Sequence, residues 1–235
     1  MFERTHRVRY SETDSSGHLS LASLIDYFQD CAVSHSNAAG YSHQTLLKMG
    51  AVWVLNTWQV QILRLPLEDE TVKVITNPHD FRGFFAHRNF LLETASGERL
   101  AIADSLWTTV SPENGVPVHT PEVLRTAYGV GEALEMDYAG RKIPLPRAEG
   151  QSFPPIPVRR HMLDSNYHVN NAQYVRLASD LLPEDFAFAR LRVEYRAAAH
   201  LGDELSPTLF VEDGRCVITL SNTEAKPYCV LEFSV

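Results

Sequence analysis

Apolar side chains recur at two different spacings in the first half of this 235-residue chain. Between positions 21 and 32 they return every three or four residues, which predicts a helix that Gly40 can end. This stripe consists of Leu21, Leu24, Ile25, Phe28 and Ala32. From 52 to 62 apolar and polar positions alternate, which predicts a strand in which only Asn56 breaks the pattern. On one face of that strand we place Val52, Val54, Trp58, Val60 and Ile62.

The segment that precedes the first helix occurs a second time, at a constant offset of 150 residues. Asp14-Ser-Ser-Gly-His18 corresponds to Asp164-Ser-Asn-Tyr-His168. A second, shorter helix is predicted from 170 to about 182, and it opens with two asparagines suited to capping. A similar turn also recurs, with Leu67-Glu-Asp-Glu70 aligned on Leu201-Gly-Asp-Glu204. The sequence therefore predicts two copies of one structural unit.

Runs of apolar and β-branched residues follow the helix in both halves and predict strands. In the first half these strands are expected at about 71–77, 83–94 and 100–110. In the second half they are expected at 190–196, 205–211, 215–222 and 227–235. A sheet with one apolar face must have that face covered, and each half offers its own helix as the cover. The predicted fold class is α+β, with one helix and one antiparallel β-sheet in each half.

A proline-rich stretch separates the two halves. Residues 143–157 contain five of the thirteen prolines, and proline fixes φ and removes a hydrogen-bond donor. This composition predicts an extended connector in place of a helix or strand. We therefore divide the chain into a first unit at 1–128, a linker at 129–157 and a second unit at 158–235.

Charge and cysteine usage exclude several classes of protein. A formal net charge of −8 argues against a nucleic-acid or anionic-membrane surface. Three cysteines are too few for a disulfide framework and indicate a reducing compartment. No signal-peptide pattern stands at the N-terminus, and no uncharged apolar run approaches the ~20 residues needed to span a bilayer. We expect a cytoplasmic protein without a membrane span.

Several segments, in order over nearly the whole chain, resemble the acyl-(acyl-carrier-protein) thioesterases of plants and bacteria. They include the stretch from Val8 to Asp14, the first helix from Leu24 to Gly40, and Asp164-Ser-Asn-Tyr-His-Val-Asn-Asn-Ala-Gln-Tyr174. The resemblance implies a tandem hotdog fold, in which each half is a long helix wrapped by an antiparallel β-sheet. It also implies a thiolester hydrolase that acts on acyl-acyl-carrier protein, releases the free fatty acid and ends fatty-acid synthesis. No cofactor is implied, and the first half would shape the acyl pocket.

The resemblance places the catalytic residues in the second half, at Asp164, Asn166 and His168. Thioester hydrolysis needs a positioned water, a base and donors for an oxyanion. If the segment is extended, these three side chains point the same way, and the helix start after it supplies free N–H groups. We expect His168 to polarise the water or thioester and Asn166 to hold the water or carbonyl. Asp164 would orient the segment or act as base.

Other readings stay open. Asp164 and Asn166 could make only a capping turn, with His168 as a structural histidine. The family's catalytic glutamate falls on Ala198 here, so either Asp164 is the base or the site is impaired, as in a non-catalytic acyl-binding protein. The first-half segment resembles the site of single-hotdog CoA thioesterases, so Asp14 is a rival catalytic residue.

Partners and metals complete the expectations. Five basic residues between 141 and 160 are opposed only by Glu149, and they could receive an acidic carrier protein or its phosphopantetheine. They are Arg141, Lys142, Arg147, Arg159 and Arg160. The ten histidines form no zinc motif, so we predict no metal site. A homodimer is a further expectation.

Overall fold

The structure is a computed structural model that describes residues 1–235. The chain divides into two compact units, Met1–Ala139 and Gly140–Val235. The predicted linker is therefore shared between them. Residues 129–139 belong to the first unit, and residues 140–157 belong to the second. None of the helices combines the length and the apolar character that crossing a membrane would require.

The first unit is an antiparallel sheet of five strands with three helices. The strands lie in the order β1-β3-β4-β5-β2. Their bounds are β1 (Phe2–Arg7), β2 (Val52–Ile62), β3 (Thr71–Arg82), β4 (Phe85–Thr94) and β5 (Arg99–Val110). The helices are α1 (Leu21–Ala38), α2 (His43–Lys48) and α3 (Glu122–Tyr128). The sequence pattern had not predicted β1, α2 or α3.

The second unit repeats this plan with a shorter helix, α4 (Asn171–Ser179). Its strands lie in the order β8-β11-β10-β9-β6, and β7 also pairs with β9. Their bounds are β6 (Gln151–Ser152), β7 (Ile156–Pro157), β8 (Arg190–Tyr195), β9 (Glu204–Glu212), β10 (Arg215–Ser221) and β11 (Pro227–Ser234). β6 and β7 fall in the proline-rich stretch, where no strand was predicted. The α+β class and the antiparallel sheets are confirmed in both units.

Helix α4 has nine residues, so the expectation of a long helix in each half is wrong for the second unit. The helix ends in tight turns, where Leu181 N–H donates to the Ala178 carbonyl and Leu182 N–H to the Ser179 carbonyl. Pro183 follows, and proline disfavours the helical conformation in the residue before it. The predicted end near residue 182 was therefore too late.

An aromatic cluster joins α1 to the sheet of the first unit. Phe28, on the predicted apolar stripe of α1, is fully buried and packs with Trp58 of β2 and Phe90 of β4. The ring centroids of Phe28 and Phe90 lie 5.2 Å apart, and those of Trp58 and Phe90 lie 5.0 Å apart. Helix α1 thus covers one face of the sheet, as the stripe predicted.

A β-bulge at Asn56 corrects the predicted face of β2. The register between β2 and β5 shifts between Leu55 and Thr57, so the side-chain alternation changes phase there. As a result Leu55 is buried, whereas Val54, which we expected on the buried face, is 44% exposed. The break in the sequence pattern at Asn56 marked this bulge, although we did not interpret it as one.

Candidate active site

The Asp164–His168 segment forms a closed turn in the structure. Asp164 N–H donates to the His168 carbonyl at 2.8 Å, and Tyr167 N–H donates to the Asp164 carbonyl at 3.1 Å. The Asp164 carboxylate accepts the backbone N–H groups of Asn166, at 2.8 Å, and of His168, at 3.2 Å. The extended conformation assumed from the sequence is therefore wrong, because a side-chain acceptor captures the backbone donors locally.

The structure brings the three predicted residues together in one turn, but in unequal positions. The Asp164 side chain is tied to the backbone of the other two, so one of its oxygens serves to close the turn. Asn166 is exposed and His168 is half-buried. The arrangement favours an orienting role for Asp164 and leaves the amide of Asn166 facing solvent.

The first unit contains the same turn, built by the same bonds. Asp14 N–H donates to the His18 carbonyl at 2.8 Å, and the Asp14 carboxylate accepts the N–H groups of Ser16 and His18. The Ser16 hydroxyl also donates to this carboxylate, at 2.6 Å, and its oxygen lies 2.9 Å from His18 Nδ1. Partial burial raises the pKa of the Asp14 carboxyl, but the bonds from Ser16 and His18 outweigh it, so the net direction is down.

The fourth residue of each turn has a positive φ, at 79° for Gly17 and 62° for Tyr167. Only glycine adopts this left-handed conformation freely, and an L side chain there costs about 1–2 kcal/mol. Tyr167 is nevertheless 78% exposed, so burial does not hold it in place. Such strain concentrates at functional sites, and here it distinguishes the second turn from the first.

A second histidine, His200, contacts the turn of the second unit. His168 and His200 form an isolated β-bridge, and their imidazole rings lie edge to face with centroids 4.8 Å apart. In the first unit the residue bridged to His18 is Leu67, which has no polar side chain. A second imidazole beside the turn is therefore found in the second unit and not in the first.

The recurring turn is one residue out of register when Leu67 is aligned with Leu201, and His200 therefore has no counterpart in that alignment. In the structure a carboxylate three residues on accepts the N–H of the bridged residue: Glu70 for Leu67 at 3.0 Å, and Asp203 for His200 at 2.8 Å. Leu67 is thus equivalent to His200 and not to Leu201. A carboxylate stands three residues after the bridged residue in both units, as Glu70 and as Asp203. Aligning these two carboxylates in the sequence would have revealed the correct register.

The strand that leads to Ala198, β8, contains one carboxylate, Glu194, and it does not replace the missing glutamate. Ala198 is exposed, and the buried Ala199 accepts the Val169 N–H at 2.9 Å and donates its own N–H to the Tyr174 hydroxyl. Glu194 is buried, where it accepts the Ile143 N–H and pairs with Arg196. It is therefore occupied structurally.

The helix that follows the turn is partly capped. The Asn170 side chain accepts the Ala172 N–H at 2.9 Å, so one of the donors expected for an oxyanion is already used.

The three cysteines are core residues. Cys31, Cys216 and Cys229 are free and buried, and burial raises the pKa of each thiol, to about 11 for Cys31. A buried thiol with a raised pKa is a poor nucleophile.

Two helix-and-sheet units, each with an aspartate-closed turn before its first α-helix, define a double hotdog fold. The acyl-ACP thioesterase N-terminal domain matches residues 1–128, and the acyl-ACP thioesterase C-terminal domain matches residues 146–224. The chain belongs to the acyl-ACP thioesterase family. The family resemblance inferred from the sequence is confirmed.

Curated relatives agree with this assignment, and solved structures share the fold. The chain is 26% identical over 83% of its length to an acyl-[acyl-carrier-protein] hydrolase from Cuphea viscosissima, of which the match covers 52%. The chain thus spans about half the length of the curated relatives that it matches. Its fold is similar to an acyl-ACP thioesterase from Bacteroides thetaiotaomicron, with a TM-score of 0.89, 20% identity, and coverage of 99% of this chain and 96% of that one. A 12:0-ACP thioesterase from Umbellularia californica gives a TM-score of 0.85 at 20% identity, with coverage of 99% and 96%.

The positive φ of Gly17 predicts the response to a methyl group. Nothing lies within 4 Å of a Cβ added there, so Gly17→Ala is opposed by backbone conformation alone. We expect it to lower the free energy of unfolding by about 1–2 kcal/mol, measured by urea denaturation. Gly140→Ala is the matched control, because its Cβ also meets nothing and its φ is not positive. Equal effects of the two substitutions would contradict the assigned turn conformation.

Proposed function

We propose that this protein hydrolyses acyl chains from acyl-carrier protein, releasing the free fatty acid, with the second-unit turn as its catalytic site. The observation that carries the choice of site is the imidazole pair of His168 and His200, because the first unit has Leu67 in the position of His200. Family membership supports the reaction class. The site lies within the second unit, which the family's C-terminal domain matches.

In the proposed reaction His168 takes a proton from a water molecule as that water attacks the thioester carbonyl. The carbon–sulfur bond then breaks, and the proton passes to the departing thiolate of the phosphopantetheine arm. The exposed Asn166 amide donates to the carbonyl oxygen as negative charge develops on it. Asp164 holds the backbone of both residues, which makes it a positioning residue and not the base.

His200 supports the base in this proposal. Its ring stands at 82° to that of His168, an edge-to-face contact that restricts the orientation of the reacting imidazole. The backbone N–H of His200 is fixed by Asp203, which also accepts the Tyr228 hydroxyl at 3.1 Å. This arrangement supplies the rigidity that a general base needs, without the carboxylate missing at Ala198.

The carrier protein would approach the second unit at its basic patch. All five residues of the patch are exposed, namely Arg141, Lys142, Arg147, Arg159 and Arg160. Arg159 and Arg160 lie five and four residues before Asp164 in sequence, and their positive charge would attract an acidic carrier or a phosphate. We further propose a reducing compartment, the cytoplasm, on the basis of the three free cysteines. Homodimer formation stays a prediction.

A second candidate function is hydrolysis of an acyl-CoA at the first-unit turn. The observation in its favour is the chain of hydrogen-bonding contacts from Asp14 through Ser16 to His18. Against it, the lowered pKa of Asp14 makes this carboxylate a weak base.

Matched histidine substitutions distinguish the two sites. We expect His168→Ala to lower kcat/KM for acyl-carrier-protein hydrolysis by about 10²–10⁴-fold, the usual contribution of a general base. His18→Ala, the equivalent change in the first unit, should leave kcat/KM nearly unchanged. The measurement is the rate of thiol release from acyl-carrier protein and from acyl-CoA. Full activity of His168→Ala, with loss in His18→Ala, would move the chemistry to the first unit, and tight acyl binding without any hydrolysis would identify a non-catalytic binding protein.

Two substitutions at Asp164 separate positioning from base catalysis. Asp164→Asn keeps a side-chain oxygen that can accept the two backbone N–H groups, whereas Asp164→Ala keeps none. We expect the asparagine variant to keep kcat within about tenfold of the wild type and the alanine variant to lose more than about 10²-fold. If both variants lose activity equally, while their circular dichroism stays native, Asp164 is the base and the positioning role is wrong.

Replacing His200 by the residue of the other unit tests the imidazole pair. His200→Leu reproduces the Leu67 arrangement and removes the second ring. We expect kcat to fall by about tenfold or more with KM little changed, because the orientation of His168 is then no longer restricted. The control is Leu201→Ala, an exposed neighbour. An unchanged kcat in His200→Leu would exclude a role for this residue.

A further inference from the structure

A cluster of two histidines and one aspartate lies on the first-unit sheet, on three adjacent strands. Asp104 of β5 stands between them, with Oδ1 2.8 Å from His79 Nε2 and Oδ2 2.9 Å from His87 Nδ1. The three ligating atoms all lie within 4.8 Å of one another. His87 and Arg88 are consecutive residues of β4, so their side chains point to opposite faces of the sheet. Arg88 reaches His35 of α1, and the cluster therefore lies on the face opposite to α1.

A β-bulge aims His79 at this cluster. The register between β3 and β4 shifts between Pro78 and Asp80, so His79 is the extra residue and has no partner on β4. A bulge interrupts the ladder and redirects a side chain, and bulges concentrate next to functional sites. Here the redirected side chain contacts a carboxylate two strands away along the sheet.

The carboxylate at the centre is held by a second layer of bonds. Asn89, which is fully buried, donates its amide to Asp104 Oδ1 at 3.2 Å. The Asn89 oxygen accepts the Leu134 N–H at 2.9 Å and the Tyr138 hydroxyl at 3.1 Å. An outer residue that orients a ligand in this way is a regular feature of protein metal sites.

The three side chains of the cluster differ in their exposure to solvent. The side chains of His79 and Asp104 are 10% and 9% exposed, whereas that of His87 is 38% exposed. An ion could therefore reach the cluster past His87, and a water molecule could complete its coordination on that side.

We propose that His79, His87 and Asp104 bind one divalent transition-metal ion, with Zn²⁺ as the best match. Two imidazole nitrogens and a carboxylate oxygen are a donor set that Zn²⁺, Co²⁺ and Fe²⁺ accept. Metal–nitrogen distances of about 2.0–2.1 Å place neighbouring ligand atoms about 3.3 Å apart. Each histidine nitrogen would therefore move away from its Asp104 oxygen by about 0.5 Å, and the two histidine nitrogens, which lie within 4.8 Å of each other, would approach by up to about 1.5 Å. The ion would link β3, β4 and β5, and the site is separate from the thioesterase chemistry proposed for the second unit.

The donor atoms of the three side chains ligate an ion only when they carry no proton. The sequence did not suggest the site, because its three residues come from separate strands without a local motif.

Spectroscopic titration of the full chain tests the proposal. After treatment with a chelator, the protein is titrated with Co²⁺, followed by visible ligand-field absorption, and with Zn²⁺, followed by calorimetry. We expect one equivalent to bind, with a Co²⁺ spectrum that Zn²⁺ displaces. His87→Ala should weaken binding by about tenfold or more, and so should Asn89→Leu through the outer layer. His43→Ala, which changes an exposed histidine on α2, should bind as the wild type does.

Thermal unfolding provides the second readout and a control for folding. The Tm of the wild type and of His43→Ala should rise with Zn²⁺ concentration, whereas that of His87→Ala should not. His87 is partly exposed, so its loss is expected to leave the fold intact, which circular dichroism verifies. The proposal is overturned if the wild type gives no ligand-field spectrum, or if His87→Ala binds with wild-type affinity. The three side chains would then form only a hydrogen-bonded network.

Discussion

The candidate site depends on one interaction, the capture of backbone N–H groups by the Asp164 carboxylate. Two of these bonds, to Asn166 and His168, close the turn and determine where both side chains begin. A buried or half-buried turn must satisfy its backbone donors, and an aspartate two residues back is a common way to do so. The same constraint explains why aspartate recurs at position 14, where the turn carries different side chains on the same frame. The aspartate therefore recurs because both turns need an acceptor for their backbone N–H groups, whether or not the turn is catalytic.

Because the frame is shared, the two turns differ in function through what they carry and what faces them. The first turn holds Ser16 and Gly17 and is bridged to Leu67. The second is bridged to His200, and its Tyr167 keeps a left-handed backbone that favours glycine. Duplication of a unit, followed by divergence at these few positions, would account for one half that is catalytic and one half that shapes the acyl pocket. Under this interpretation the missing glutamate at Ala198 does not impair the site, since a second imidazole restrains the first.

Elements with a long, regular pattern could be predicted from the sequence, and those fixed by a single residue could not. The stripe through Phe28 gave α1, and the alternation in 52–62 gave β2, because burial imposes those periods. The bulges at Asn56 and His79 change side-chain direction after one inserted residue, and a break in the alternation, as at Asn56, does not by itself identify a bulge. The turn at 164–168 was assumed to be extended because the competition between side-chain and ladder hydrogen bonds is decided in three dimensions. His200 and the His79 cluster were missed for the same reason, since their partners come from other segments.

The central claim is that thioester chemistry takes place at His168, and a bound substrate analogue tests it most directly. The measurement is a crystal structure of the full chain with an acyl-phosphopantetheine in which an amide replaces the thioester. The account predicts the analogue's carbonyl carbon at the second-unit turn, with the position of the attacking water about 3–3.5 Å from that carbon and within hydrogen-bond reach of the His168 imidazole. The carbonyl beside His18 instead, with the second-unit turn unoccupied by any part of the analogue, would contradict it.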